Sequence, residues 1–527
     1  MKRRLALGLL LIWVLPALAC NLPTAPRGSV DIGVAAEQTL AAIQVATALA
    51  EPPAATPAAP LPQITTDLGI VTVTPPPGAP APPAAGGLPV PQPAGSQLNY
   101  TTQPGDTLAG LSGRFDLLAE DLLALGQNLM TGGLLPSGIQ LSIPNADGEL
   151  LLTGSLLPDA EIVYSPASVD FPVEEFVRQA GGYLSTYTER VDQETLTGAQ
   201  IIQRVASETS TNPRLLLAFL EYRSGWVLGS PNANTQTAYP IGFYADQYSG
   251  LHKEMTLVAR QLTIGYYGWR SGKVTSLEFV DNSRRRIDPT INAGTAALQY
   301  LFAKLYKPDA WMAELYTPGS FVTFYREKFG DPWQRHAALG PLLPDGLAQP
   351  PVELPFAQGE SWSFTGGPHL SWGTGGPNGA LAFAPAAVER GCGVSRFWTT
   401  AVAPGLVVRS ERGAVALDLD GDGYEQTGWV FFYFHVAQQD RVAAGTYLNA
   451  NDPVGHPSCE GGRATGTHVH IARKYNGEWI PADGFVPFTL SGWQVIAGER
   501  AYSGSLVNGD SIVTARPDGA HTSIITR

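Results

Sequence analysis

Cysteine is scarce in this 527-residue sequence, with three in all, at positions 20, 392 and 459. So few, so far apart, exclude a disulfide-dense miniature fold and a thiolate metal site built from closely spaced pairs. Positive charge is also in deficit: 33 Lys and Arg stand against 46 Asp and Glu, a formal net charge of −13. That balance excludes nucleic acid as a partner for the surface as a whole, because binding phosphates requires clustered cations. After residue 20 no apolar run is long enough to cross a bilayer, so everything beyond it is expected on one side of any membrane. A further absence is local. From Ser361 to Val388 there is no Asp and no Glu, although this Gly-rich stretch carries His369.

What is present begins with a basic start (Lys2, Arg3, Arg4), an apolar run from Leu5 to Leu15 and small residues before Cys20. Residues 1–20 therefore read as an export signal. "ALAC" resembles a bacterial lipobox, which implies a lipid on Cys20 and attachment to the outer face of a bacterial membrane. In that oxidising compartment Cys392 and Cys459 are expected to pair as a disulfide. Residues 21–97 are dominated by Ala, Pro, Thr and Gly and cannot bury enough apolar surface to offset chain entropy, so they read as a tether. Residues 31–50 alone show helical periodicity within it.

Residues 98–145 change character. A short strand ends at "QPGD", Asp106 or Thr107 caps a helix carrying Leu108, Leu111 and Phe115, a second helix carries Leu122, Leu123 and Leu125, and "LPSGIQLSIP" returns as a strand. "YTTQPGDTLAGLSGRF", "EDLLALGQNL" and "LLPSGIQLSIP" resemble a LysM domain. The resemblance implies a small α/β module that binds N-acetylglucosamine units of peptidoglycan or chitin.

Residues 160–345 read as mainly helical, with Leu216, Phe219 and Leu220 on one apolar face and Ala296, Leu298, Leu301 and Phe302 on another. The first segment resembles lysozyme-like transglycosylases through Pro213, Leu215, Ala218, Ser224 and Trp226. Arg223, however, stands at the place of that family's catalytic Glu, and a guanidinium cannot deliver the proton that glycosidic cleavage requires. Glu221 lies two residues away and on a different side of the helix. The expectation is a lysozyme-like scaffold without its acid, with "GYYGWR", residues 265–270, either lining a sugar groove or filling the core.

Residues 351–527 are rich in Gly and in short β-patterned runs, and five of the eight histidines fall between 369 and 470. In "GTHVHIA", His468 and His470 are one residue apart, so on a strand they share a sheet face, and "FYFHVA" brings His435 onto a neighbouring strand. Converging imidazoles are a costly core and a good way to hold zinc and water. This module resembles M23-family zinc endopeptidases of the lysostaphin and LytM type, over roughly residues 354–487. The resemblance implies an antiparallel β fold, with His369 and His470 as zinc ligands and His435 and His468 as the catalytic acid/base pair. The family's third ligand is an Asp, and its place in "LAFAP" is held by Ala382. A methyl group cannot ligate zinc, so the centre is expected to be weakened; Asn378 offers an amide oxygen as a substitute.

Asp418, Asp420 and Asp422 in "DLDGDGYE" resemble the start of a calcium loop, but Trp429 occupies the twelfth place where an EF-hand needs Glu. A β-hairpin tip with acidic turn residues is the other reading. The chain as a whole thus reads as multidomain: a LysM-like α/β module, a mainly α lysozyme-like middle and an M23-like β domain. The expected role is a peptidoglycan-associated lipoprotein with an impaired zinc centre, acting in wall binding or in regulating a cell-wall hydrolase. Two alternatives stand beside it, an active zinc endopeptidase and a purely structural envelope binder.

Overall fold

The computed structural model describes residues 89–126, 129–145, 148–233, 235–385 and 391–527. Cys20 and the periodic segment 31–50 lie outside the described residues. Among the described residues no helix is long and apolar enough to cross a membrane.

The first module runs strand Gln97–Thr101, helix Leu108–Phe115, helix Ala119–Leu125, strand Gln140–Pro144, with the two strands antiparallel. Alternation drives it: Leu98, Tyr100, Leu141 and Ile143 face inward onto Leu111, Phe115 and Leu122. Thr107, not Asp106, caps the first helix by accepting from the Gly110 N–H. Asp106 is buried instead, accepting from the Tyr100 hydroxyl at 2.5 Å and the Gln103 N–H at 2.7 Å, and paired with Arg114. Strand Val90–Gln92, inside the expected tether, pairs with Leu150–Leu152.

The middle region is helical. Thr197 and Gln200 form a reciprocal capping box at the start of Gly198–Thr209, and Asn212 followed by Pro213 opens Pro213–Ser224. The 20-residue helix Leu251–Arg270 is its axis, with Met255, Val258, Leu262, Tyr266 and Trp269 buried at helical spacing. Tyr266, Tyr267 and Trp269 are therefore core, not the rim of a groove. Glu221 accepts from the Val227 and Leu228 N–H groups, and Arg223 donates to the Ile241 carbonyl and to Tyr306, so both are held in structural roles.

The last module is a nine-stranded antiparallel sheet whose central strands run in the order Gly405–Glu411, Ala414–Asp418, Trp429–Phe434, Val469–Tyr475, Ala380–Pro385, Ser361–His369. Its two faces have different covers. Phe431, Tyr433, Val469, Ile471, Leu381 and Phe383 point into the module's own core, while Ala380, Phe432, Phe434 and Ala472 pack with the helical region. The helical layer thus lies on the same sheet face as His470. Gly375, in the loop after His369, sits so close to the Leu251–Arg270 helix that an added Cβ would come within 2.4 Å of the Thr263 hydroxyl.

One side chain ties all three parts together. Half-buried Arg270 donates to the Pro104 carbonyl of the first module at 2.6 Å and to the Tyr266 hydroxyl at 3.0 Å, and pairs with Asp159 at 3.0 Å and with Glu478 of the β module at 3.2 Å.

Candidate metal centre

His369 ends strand Ser361–His369 and His470 lies on Val469–Tyr475, with Ala380–Pro385 between them. Their facing nitrogens, Nε2 of His369 and Nδ1 of His470, are 3.1 Å apart. The opposite nitrogens are committed to backbone carbonyls, His369 Nδ1 to Gly367 at 2.8 Å and His470 Nε2 to Ser371 at 2.7 Å. A carbonyl only accepts, so each ring places its one proton there when neutral, and two lone pairs face each other. Both rings are neutral at pH 7: burial pushes His369 down to about 4 and His470 well below the usual histidine range. Opposed lone pairs repel unless a cation lies between them. At metal–nitrogen distances of about 2.0–2.1 Å, two cis imidazoles of one ion have nitrogens roughly 3 Å apart, which this pair matches.

His435 and His468 sit beside this pair. Their Nδ1 atoms are fixed on the Glu460 carbonyl at 2.9 Å and the Gly466 carbonyl at 2.7 Å, and their ring centroids are 4.6 Å apart. Strand alternation alone would aim His435 away from His470, since the neighbouring Phe434 is the residue opposite His470 in the register. A left-handed backbone at His435, φ 65°, breaks the alternation and swings the ring back to the site. Burial is the main cause that pushes His435 down to about 4, with the His468 charge second. The structure thus brings together all four histidines expected from the sequence.

Ala382 is the Cα partner of His470 across the adjacent strands, so its methyl group points onto the same sheet face as the His470 ring. Among the described residues no third His, Cys, Asp or Glu atom joins the His369–His470 pair within 4.8 Å. Asn378 is exposed, and its backbone carbonyl accepts from the Ala482 N–H. A catalytic zinc centre uses three protein ligands and an open position. Two nitrogens and a methyl do not fit that requirement.

The family described as LasA, N-terminal domain, matches residues 155–342. The beta-lytic metalloendopeptidase of Lysobacter enzymogenes is 30% identical over 168 residues, covering 30% of this chain and 84% of the relative. The chain belongs to the M23 peptidase family. Protease LasA of Pseudomonas aeruginosa (strain UCBPP-PA14) is 27% identical over 301 residues, 54% of this chain and 68% of the relative. Among solved structures, the M23 metalloprotease pseudoalterin from deep-sea is 21% identical, covering 32% of this chain and 96% of that one, with a TM-score of 0.27.

Two residues of this M23 site were invisible in the sequence. Tyr502 stacks on His369 with ring centroids 4.2 Å apart, and its N–H donates to the Pro368 carbonyl. Gly366 leaves room for that ring, because an added Cβ would lie 3.2 Å from Tyr502 and 3.1 Å from the Ala382 methyl. Trp372 packs on Phe432 and Phe434 at 4.3 and 4.9 Å, with the Arg409 guanidinium 5.2 Å from its ring. Neither belongs to a motif; a turn and a hairpin deliver them.

Cys392 and Cys459 form the expected disulfide. Asp418, Asp420 and Asp422 gather at the tip between strands Ala414–Asp418 and Trp429–Phe434, their ligand atoms within 4.8 Å of one another. Asp418 is buried and accepts from the Asp420 and Gly423 N–H groups, and burial first, then Asp420, pushes it up to about 7. The loop is a hairpin tip flanked by strands. Nearby, Glu425 is clasped by Arg409 at two 2.7 Å contacts and by Lys474, and these cations hold it down to about 2 against the cost of burial.

These groups set an acid profile for the metal-free chain. A histidine depressed to about 4 leaves the unfolded state to take up protons first, so its contribution is full above about 6.5 and declines as pH falls toward 4. His369 and His435 should each remove about 2 kcal/mol between pH 8 and pH 5. Glu425 adds a second loss at lower pH, from about 4.5 down through 2. Urea unfolding in chelator at pH 8 and pH 5 checks this; equal stabilities would contradict the metal-free neutral cluster.

Proposed function

We propose that this chain is an extracytoplasmic, peptidoglycan-associated M23 protein whose groove binds wall peptide with little or no hydrolysis. The observation that carries the reading is Ala382, which puts a methyl opposite His470 where a third ligand is needed. The four histidines offer lone pairs to a groove whose N–H groups are already engaged, so a peptide backbone donating N–H groups can be held there without being cut. Strand, helix, helix, strand at 97–144 supports a LysM-like wall module, and the export-type leader with Cys20 supports lipid anchoring. On this reading the protein holds the wall or regulates a separate hydrolase.

One observation favours a second reading, a zinc-dependent endopeptidase: the His369–His470 nitrogens oppose each other at a separation suited to a shared cation. Incubation of the full chain with purified peptidoglycan separates the two. Retention in the wall pellet without soluble stem-peptide fragments is expected. Fragment release that a chelator abolishes would overturn the proposal in favour of the enzyme.

A further inference from the structure

A cavity of about 290 Å³ opens where the first module meets the helical region, lined among others by Gln103, Ser155, Asp159, Arg270, Trp333 and His336. It is remote in role from the histidine cluster, and the inference drawn from it does not rest on the peptidase reading. Its volume would hold roughly ten waters at liquid density and stands at the lower end of small-ligand sites.

The lining is unusual in what it leaves unused. Nδ1 of His336 is buried without a hydrogen-bond partner. Trp333 uses its backbone N–H on Asp331 as part of the helix start, and its indole N–H engages no partner among the described residues. The half-buried Ser155 side chain also lines the cavity, and its hydroxyl makes no hydrogen bond among the described residues. Gln103 donates from Nε2 to the Thr290 carbonyl, which leaves its amide oxygen to the cavity. The one cation of the lining is, in contrast, already engaged: Arg270 is paired with both Asp159 and Glu478.

An anionic ligand therefore finds no free cation. What remains is an indole surface, two hydroxyl- or amide-type groups and one imidazole, all neutral at pH 7, since burial lowers His336. A compact ring with one apolar face and several hydroxyls satisfies such a set: its CH face lies on Trp333 while its hydroxyls serve Ser155, Gln103 and His336 in either hydrogen-bond direction. We infer that this cavity binds a neutral, monosaccharide-sized polyol, and that the ligand bridges the first module and the helical region at the Arg270 junction.

The test titrates the full chain with glucose, N-acetylglucosamine and myo-inositol, followed by calorimetry and tryptophan fluorescence. Saturable one-to-one binding of at least one of the three is expected, weakened about tenfold or more by Trp333→Leu and abolished by Ser155→Phe, which fills the cavity. Trp333 and Ser155 are both half-buried, and unchanged melting temperatures of the variants confirm that they fold. Absence of saturable binding for all three compounds would overturn the inference. So would binding that Ser155→Phe leaves intact, which would place the sugar elsewhere.

Discussion

An Ala382→Asp variant is expected to bind zinc at least about 100-fold more tightly than the native chain. The register places residue 382 directly across from His470, where cross-strand Cβ atoms lie about 4.5–5.5 Å apart and a carboxylate reaches the space that His369 and His470 share. The two imidazoles are already fixed by the Gly367 and Ser371 carbonyls, so the new ligand meets a prepared pair and little ordering is left to oppose binding. Loss of groups that merely orient a ligand costs about 10–100-fold in metal affinity, and a ligand itself carries at least as much. The carboxylate also supplies negative charge to a cluster that, as it stands, has none. Competition against a chromophoric chelator measures the difference; equal affinities would mean that some other group already completes the site.

Replacing both Cys392 and Cys459 with Ser is expected to cost about 4 kcal/mol, the loop-closure value for a 67-residue separation. Its second effect is local. The carbonyl of Glu460, next to Cys459, orients His435, while the Gly391 and Gly393 carbonyls flanking Cys392 hold the Thr467 hydroxyl just before His468. The bridge therefore braces the two walls that carry this histidine pair. Urea unfolding reads the stability, and imidazole resonances read the pair. A variant as stable as the native chain, with unchanged His435 and His468 signals, would show that the surrounding hydrogen bonds suffice without the bridge.

The parts of this molecule that were legible in the sequence are those written in short periods. Alternation in "NYTTQ" and "QLSIP", the Pro-Gly turn and helical spacing at Leu108, Leu111 and Phe115 give the strand, helix, helix, strand order directly. His468 and His470 declare a shared face by their spacing, and the missing carboxylate is visible as a gap in composition. What stayed hidden depends on backbone departures and on long-range packing. His435 reaches the site only because its φ is positive, against the alternation of its strand. Tyr502 arrives from a hairpin far along the chain, in a left-handed backbone conformation, φ 69°, that no local pattern announces. The aromatics at 266–269 read equally as groove or core in sequence, and only packing by the surrounding helices makes them core. Arg270, last in its helix and joining three parts of the chain, looks in sequence like an ordinary cation complementing a helix C-terminus.

The most direct test of the incomplete centre is the zinc content of the native full chain, purified without chelator and dialysed against buffer holding about nanomolar free zinc. Two imidazoles without a third protein ligand predict far less than one zinc per chain, against the near-stoichiometric metal expected of a three-ligand site. One tightly held zinc per native chain would contradict the account and make Ala382 compatible with a working metal centre.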